Sequence, residues 1–167
     1  MMSILSNKWI VIIFVIIAIF GVLLIIGKKS VRSEISINAP VEKVWSVITN
    51  TSSYAEWNSV MLVLEGKIKE GNKVKYKFTQ EANNSYDIPS KVVSVEEGKL
   101  LNQYGGTKTI LTFDHKYILV KEGIKTKLII HEEYRGIMVP FWNPDPVGKA
   151  YERLCTDIKN RAESLKL

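Results

Sequence analysis

The most restrictive feature of the chain is an uncharged run near its amino terminus. From Trp9 to Gly27 there are 19 residues without a charge, and all of them except Gly21 and Gly27 are apolar. At about 1.5 Å per helical residue, this run is long enough to cross the roughly 30 Å hydrocarbon layer of a bilayer. We therefore predict a membrane anchor over residues 1–29, with a transmembrane helix at about 9–27.

Two alternatives stay open for this run: a cleaved signal peptide and a buried helix of a soluble domain. The run exceeds the roughly 7–15 residues of a signal-peptide core, and no small-residue cleavage site follows it. Lys28, Lys29 and Arg32 outweigh Lys8 and the amino terminus by one positive charge. The positive-inside tendency then predicts a single-pass protein of the cell membrane with its folded domain in the cytoplasm.

The folded domain is predicted to begin with a strand and a helix. Val31, Ser33, Ile35 and Ile37 alternate with polar residues, which is typical of one face of a strand. Pro40 ends this strand and begins the helix, because proline has no N–H to donate to a ladder.

This opening resembles the start of the SRPBCC superfamily. The phrase that carries the resemblance consists of Ile37, Ala39, Pro40, Val44, Trp45, Val47, Ile48, Asn50, Tyr54, Trp57 and Asn58. It looks most like the polyketide cyclase/dehydrase-type members, relatives of START lipid-transfer domains, and extends over residues 31–167. The superfamily contains enzymes, lipid carriers and plant ligand-binding proteins without a shared catalytic set, so the resemblance assigns no catalytic residue.

The resemblance implies an α+β helix-grip domain over residues 30–167. In this fold a curved seven-stranded antiparallel sheet wraps around a long C-terminal helix, with a cavity between them. The predicted closing helix has an apolar stripe that must be buried against such a sheet. Its members are Val147, Tyr151, Leu154, Ile158, Ala162 and Leu165.

Two long strands precede this helix. In the first, Leu111, Phe113, His115, Tyr117 and Leu119 share a face, and in the second Thr126, Leu128, Ile130, Glu132 and Tyr134 share a face. A two-residue turn at Glu122-Gly123 would place Glu132 opposite Phe113, diagonal to His115. Elsewhere, the polar stretch 81–87 is predicted to be a loop and Gly105-Gly106 a turn.

The inner faces suggest a lining for an apolar or aromatic ligand. The predicted ligand-binding residues are Tyr76, Phe78, Phe113, His115, Tyr117, Ile130, Glu132, Tyr134, Trp142 and Tyr151. The alternative is that these side chains fill the interior completely at normal packing density.

His115 and Glu132 are the weak catalytic candidates, because a buried carboxylate needs a partner and a His–Glu pair can move a proton. They could instead bond each other at the cavity edge, be turned apart by a bulge, or anchor a ligand. Trp142 and Phe141 lie in a Pro-rich loop, where they either cover the cavity mouth, enter the bilayer interface or pack on the helix end.

Composition excludes several classes of function. Three of the 23 basic residues lie in the first 29, so the rest carries 20 basic and 17 acidic residues, a net charge of +3 that does not indicate nucleic-acid binding. Two His and the single Cys155 provide no metal-ligand spacing, and we predict no metal and no cofactor.

We therefore predict a membrane-anchored domain that binds a small apolar molecule or a lipid. The alternatives are a cyclase/dehydrase-type enzyme that uses His115 and Glu132, and an interaction or stress-response protein with a filled core. Ligand identity and oligomeric state have no signal in the sequence.

Overall fold

The computed structural model describes residues 8–165. Four α-helices occur in that range: α1 (Lys8–Ile26), α2 (Val41–Thr49), α3 (Tyr54–Trp57) and α4 (Asp145–Ser164), with short 3-10 helices at Thr51–Ser53 and Val139–Phe141. The strands are β1 (Lys28–Ile37), β2 (Met61–Glu65), β3 (Lys73–Glu81), β4 (Asn84–Glu96), β5 (Leu100–Thr107), β6 (Leu111–Glu122) and β7 (Lys125–Arg135).

Helix α1 lies where the transmembrane helix is predicted, and none of its residues is buried. Within residues 8–165 it is the one helix long and apolar enough to cross a membrane, a property that a signal sequence shares. A single residue, Gly27, separates α1 from β1, so the first strand already begins at Lys28. Residues 1–7 of the predicted anchor and residues 166–167 of the predicted domain lie outside the described residues.

The seven strands form one antiparallel sheet in the order β1-β7-β6-β5-β4-β3-β2. Strands β2 to β6 each pair with the next strand in sequence, and β1 completes the sheet beside β7. The sheet curls into a half-barrel, and α4 contacts β1, β3 and β7 from its concave side. The predicted α+β helix-grip fold is confirmed.

The apolar stripe of α4 is buried from Val147 to Ala162 as its spacing predicts, whereas Leu165 follows the end of the helix and is half-buried. Its buried residues are Val147, Ala150, Tyr151, Leu154, Cys155, Ile158 and Ala162. Full burial of one Leu or Ile side chain stabilises the fold by about 1.5–3 kcal/mol, so this face holds the helix on the sheet. Just before the helix, the side-chain oxygen of Asn143 accepts a hydrogen bond from the N–H of Asp145 at 3.0 Å, which forms an Asx-turn.

The predicted register of β6 and β7 is wrong by two residues. The turn is Gly123-Ile124, not Glu122-Gly123, and Glu122 pairs with Lys125. Gly123 has a φ of +64°, which suits the first central position of a two-residue hairpin turn with glycine there. Because the shift is an even number of residues, every side chain keeps its predicted face. His115 and Glu132 become direct cross-strand partners.

Two segments predicted to be irregular belong to strands. The predicted loop 81–87 is a tight hairpin, since β3 continues to Glu81 and β4 begins at Asn84. The predicted turn Gly105-Gly106 lies inside β5. A Cβ on Gly105 would lie 2.4 Å from Cζ of Phe113, so glycine here permits close packing of a ring and does not mark a turn.

Gly136 permits the close approach of the end of β7 to the β5–β6 turn, and Gly136→Ala is expected to be strongly destabilising. A Cβ at Gly136 would lie 2.2 Å from the carbonyl oxygen of Ile110, and the φ of Gly136 is +141°. Gly71→Ala is the control, because Gly71 also has a positive φ but nothing lies within 4 Å of its Cβ position.

We expect Gly71→Ala to cost about 1 kcal/mol of unfolding free energy and Gly136→Ala about 3 kcal/mol or more. Thermal unfolding followed by circular dichroism measures both changes. Equal changes in the two variants would contradict the close approach.

Candidate functional site

An open cavity of about 840 Å³ lies beside the concave face of the sheet and the first turns of α4, and it extends around β4 and β5 to the outward-facing Lys73, Lys91 and Tyr104. Small-molecule sites typically occupy roughly 300–1,000 Å³. Its wall consists of Lys73, Phe78, Gln80, Tyr86, Asp87, Ile88, Pro89, Ser90, Lys91, Tyr104, Gly105, Gly106, Thr107, Leu111, Phe113, Glu132, Tyr134, Trp142, Val147 and Tyr151. The inner side chains therefore leave part of the interior open, whereas the filled-core alternative requires them to fill it.

Glu132 is the buried acidic residue of this wall. Its place on β7 turns it to the concave side together with Ile130 and Tyr134, and it is 4% exposed. The carboxylate oxygen Oε2 accepts a hydrogen bond from the hydroxyl of Tyr134 at 2.6 Å and a second from the hydroxyl of Tyr151. Oε1 makes no hydrogen bond with any described residue, and protein atoms do not enclose it completely.

His115 lies behind Glu132, away from the cavity wall. Its Nδ1 is 3.8 Å from Oε2 of Glu132, a distance at which a protonated imidazole would interact with the carboxylate. The imidazole packs edge-on against the rings of Tyr117 and Tyr151. Its buried Nε2 has no hydrogen-bond partner among residues 8–165.

The surroundings of Glu132 favour its ionised form. Burial raises the pKa of the carboxyl, but the interactions with His115 and the two tyrosine hydroxyls lower it by a larger amount. The pKa of Glu132 is therefore below its ordinary value. Burial and the neighbouring carboxylate raise the pKa of Tyr134 and of Tyr151. Both phenols therefore stay protonated at neutral pH and donate to Glu132.

A family of known proteins matches the part of the chain that forms the sheet and α4. The family described as polyketide cyclase / dehydrase and lipid transport matches residues 28–166. The chain belongs to this family. The resemblance seen in the opening phrase is thereby confirmed, and the match covers the whole sheet and α4. A comparison with curated proteins found no match.

Solved structures share the fold at low sequence identity. Protein CV1439 from Chromobacterium violaceum has a TM-score of 0.66 and 14% identity, with 81% of this chain and 99% of that chain covered. TTHA0849 from Thermus thermophilus has a TM-score of 0.65 and 14% identity, covering 81% and 98%. The Zhui aromatase/cyclase from Streptomyces sp. R1128 has a TM-score of 0.59 and 15% identity, covering 81% and 94%. At these identities the likeness shows the fold alone.

The structure places six of the ten predicted ligand-binding residues in the cavity wall: Phe78, Phe113, Glu132, Tyr134, Trp142 and Tyr151. Their contact with a ligand stays a prediction. The other four, Tyr76, His115, Tyr117 and Ile130, are buried but do not line the cavity.

Those four face inward in a part of the sheet that is packed. The inner face of β7 extends from Thr126, at the packed end near α2, to Tyr134 at the cavity. The hydroxyl of Thr126 donates a hydrogen bond to the carbonyl of Ala39. Near the packed end, the hydroxyl of Tyr117 contacts Sδ of Met61 at 3.3 Å. Tyr76 accepts a hydrogen bond from the side chain of Gln103 at 2.6 Å, and burial raises the pKa of this tyrosine to about 12.

The first half of β4 contributes wall residues that the sequence analysis missed. Tyr86, Ile88 and Ser90 line the cavity, and the first of these lies in the stretch predicted to be a loop. Their spacing of two was the available signal. The polar residues around them and Pro89 obscured it, because proline is uncommon inside a sheet.

The remaining candidates lie outside the cavity. Cys155 is buried on α4, and burial raises the pKa of its thiol to about 12, so it stays an unreactive thiol. His131 points to the outer face, where its Nε2 lies 3.5 Å from Glu133. No group of three His, Cys, Asp or Glu residues within the described range could hold a metal ion.

The lowered pKa of Glu132 predicts a loss of stability in acid. A carboxyl with a lower pKa in the folded state stabilises the fold above its unfolded pKa, near 4.3, and this contribution is lost as the pH falls through the folded value. Between pH 7 and pH 3, we expect the thermal midpoint of the wild type to fall further than that of Glu132→Gln. An equal decrease in both proteins would show that Glu132 is not ionised in the fold.

Proposed function

We propose that the chain binds an amphiphilic small molecule, with an apolar body and a hydrogen-bond donor, in the cavity beside α4. The observation that carries this proposal is that only one of the two carboxylate oxygens of Glu132 accepts hydrogen bonds from the described residues. Oε2 is occupied by Tyr134 and Tyr151, while Oε1 has no partner within residues 8–165. An ionised oxygen in an apolar wall is stabilised by a donor, and a hydroxyl or amine of a ligand would provide one.

The rest of the wall suits an apolar body. Phe78 packs edge-on against Tyr151, and Tyr134 packs edge-on against Trp142, so two aromatic pairs flank Glu132. Around Glu132 the wall is mostly aromatic, which is typical of sites that orient a ligand through one or two hydrogen bonds. The family description, which includes lipid transport, agrees with such a ligand.

Helix α1 would keep this domain at a membrane. None of the residues of α1 is buried in the protein, and a bilayer would cover its apolar surface. The excess of positive charge after the helix favours a cytoplasmic folded domain. The proposed protein is therefore a membrane-tethered binding domain whose ligand is drawn from apolar molecules near the bilayer.

Binding is a better account of this site than acid–base catalysis by His115 and Glu132. A catalytic pair must reach the reacting group, and Glu132 alone of the two lines the cavity. His115 would act through Glu132 and not on a ligand. The aromatase/cyclase among the structural neighbours is 15% identical and supports the fold only.

Photolabelling of the full chain in phosphatidylcholine vesicles tests the proposal. A hexadecanol that carries a diazirine is expected to label peptides of the cavity wall, such as the one that contains Leu111 and Phe113, and excess hexadecanol should suppress this label. Nonspecific label on α1 serves as the internal reference for probe in the bilayer. Label confined to α1, or wall label that hexadecanol does not suppress, would refute binding in the cavity.

A further inference from the structure

We propose that the cavity mouth docks directly on the phospholipid bilayer through an apolar rim, formed by Ile110, Met138 and Phe141, beside the end of α1. This inference rests on the proposed function, because it takes α1 to be inserted in the membrane. It adds an orientation: the cavity opens toward the bilayer, and the ligand passes between the two without crossing water.

No spacer separates α1 from the sheet. Gly27 alone separates Ile26 from β1, and its carbonyl accepts a hydrogen bond from the N–H of Gly136 at 3.0 Å. The side-chain amine of Lys29 donates to the carbonyls of Pro140 and Trp142. The loop after β7 is therefore bonded to Gly27 and to Lys29, directly after the end of the helix.

The length of α1 matches the thickness of the hydrocarbon layer. Its 19 residues span about 28 Å at 1.5 Å per residue, which is close to the roughly 30 Å hydrocarbon layer. No part of the helix would extend beyond the hydrocarbon layer and hold the domain away from the membrane surface. Segments bonded to Gly27 must then lie in the headgroup layer of the bilayer.

The segments bonded to the end of α1 carry exposed apolar side chains. The N–H of Met138 donates to the carbonyl of Ile110 at 3.1 Å, which joins the loop after β7 to the β5–β6 turn. Ile110 is 48% exposed, Met138 49% and Phe141 72%. Large apolar side chains grouped on a surface indicate an interaction site. Lys28 and Lys108, both exposed beside them, provide the positive charge that anionic headgroups attract.

The apolar rim is continuous with the cavity wall. Leu111 and Trp142 line the cavity, and each directly follows a rim residue in the chain. The rim therefore borders the mouth. The opposite end of the same β6–β7 hairpin provides a contrast, because Ile124 is 80% exposed there among charged neighbours and far from α1.

Depth-dependent quenching tests the docking with the full chain. Phe141→Cys, labelled with the polarity-sensitive dye NBD in phosphatidylcholine/phosphatidylglycerol vesicles that contain a spin-labelled lipid, is compared with Ile124→Cys. The native Cys155 is buried and stays unlabelled. We expect a blue-shifted emission and several-fold stronger quenching at position 141. Equal emission and quenching at the two positions would overturn the proposal, as would release of the chain from vesicles by alkaline carbonate.

A double variant separates docking from ligand binding. Met138→Ser/Phe141→Ser leaves the cavity wall intact and is expected to slow photolabelling by the diazirine-bearing hexadecanol about fivefold, with the same final extent. The control Val120→Ser/Ile124→Ser should label at the wild-type rate. An unchanged rate in the rim variant overturns docking while leaving the binding function intact. Quenching at position 141 in a protein whose cavity never takes label would refute the function and leave the docking supported.

Discussion

Glu132→Gln is expected to remove the preference of the cavity for an alcohol over its methyl ether. In the wild type, Oε1 can accept from the alcohol, whereas the ether has no proton to donate. In the variant, the amide oxygen stays with the hydroxyls of Tyr134 and Tyr151 and the amide NH₂ turns to the cavity, where either ligand can accept. A hydrogen bond to a charged group contributes about 1.5–3 kcal/mol, so the preference should fall at least about tenfold.

Competition against the diazirine-bearing hexadecanol measures this preference. Hexadecanol and hexadecyl methyl ether are compared at equal concentrations within the vesicle membrane. The matched control is Glu133→Gln, since Glu133 neighbours Glu132 on β7 but turns outward to Arg135 and His131. The account fails if the wild type shows no preference for the alcohol, or if both variants keep it.

A second large effect is expected when the mouth of the cavity is filled. Leu111 and Val147 line it from opposite sides, on β6 and on the first turn of α4. Leu111→Trp/Val147→Trp should displace about 80 Å² of ligand contact, which costs roughly 2 kcal/mol at about 25 cal/mol per Å². The affinity for hexadecanol should fall about thirtyfold.

Val120→Trp/Ile124→Trp is the control for added indole bulk. Both positions are exposed apolar residues at the other end of the same hairpin, so the control should bind as the wild type does. Circular dichroism checks that both double variants remain folded. Wild-type affinity in the cavity variant would show that the ligand binds somewhere else.

The architecture was predictable because its signals are local and periodic. The alternation in β1, β6 and β7 and the stripe of α4 each follow from spacing within one element. The opening phrase around Pro40 identified the family that the comparison confirmed. Such features need no knowledge of what lies across the sheet.

The errors lie where the structure depends on contacts between elements. The register of β6 and β7 depends on which two residues form the turn, and Gly123 can occupy either central position of a turn. Gly105-Gly106 has the composition of a turn, yet the Phe113 ring decides its place in a strand. A polar sequence such as 81–87 can pair as a hairpin where its strands extend past the core.

The candidate site was predictable in its residue types but not in its position along the sheet. Alternation along a strand shows which side chains share a face, so Glu132 and Tyr134 could both be assigned to the inner face. The same alternation does not show which inward residues pack against a helix and which line a cavity. Tyr117 and Tyr134 share this pattern, but the first lies in the packed core and the second in the cavity wall.

Native mass spectrometry of the full chain, purified in mild detergent, tests the central claim most directly. The account predicts one bound molecule per chain, which organic extraction recovers as an amphiphile with a hydroxyl or amine. The bound mass should be lost in Leu111→Trp/Val147→Trp and kept in Val120→Trp/Ile124→Trp. Equal bound mass in both double variants, or a wild-type chain without any bound molecule, would contradict a ligand held in this cavity.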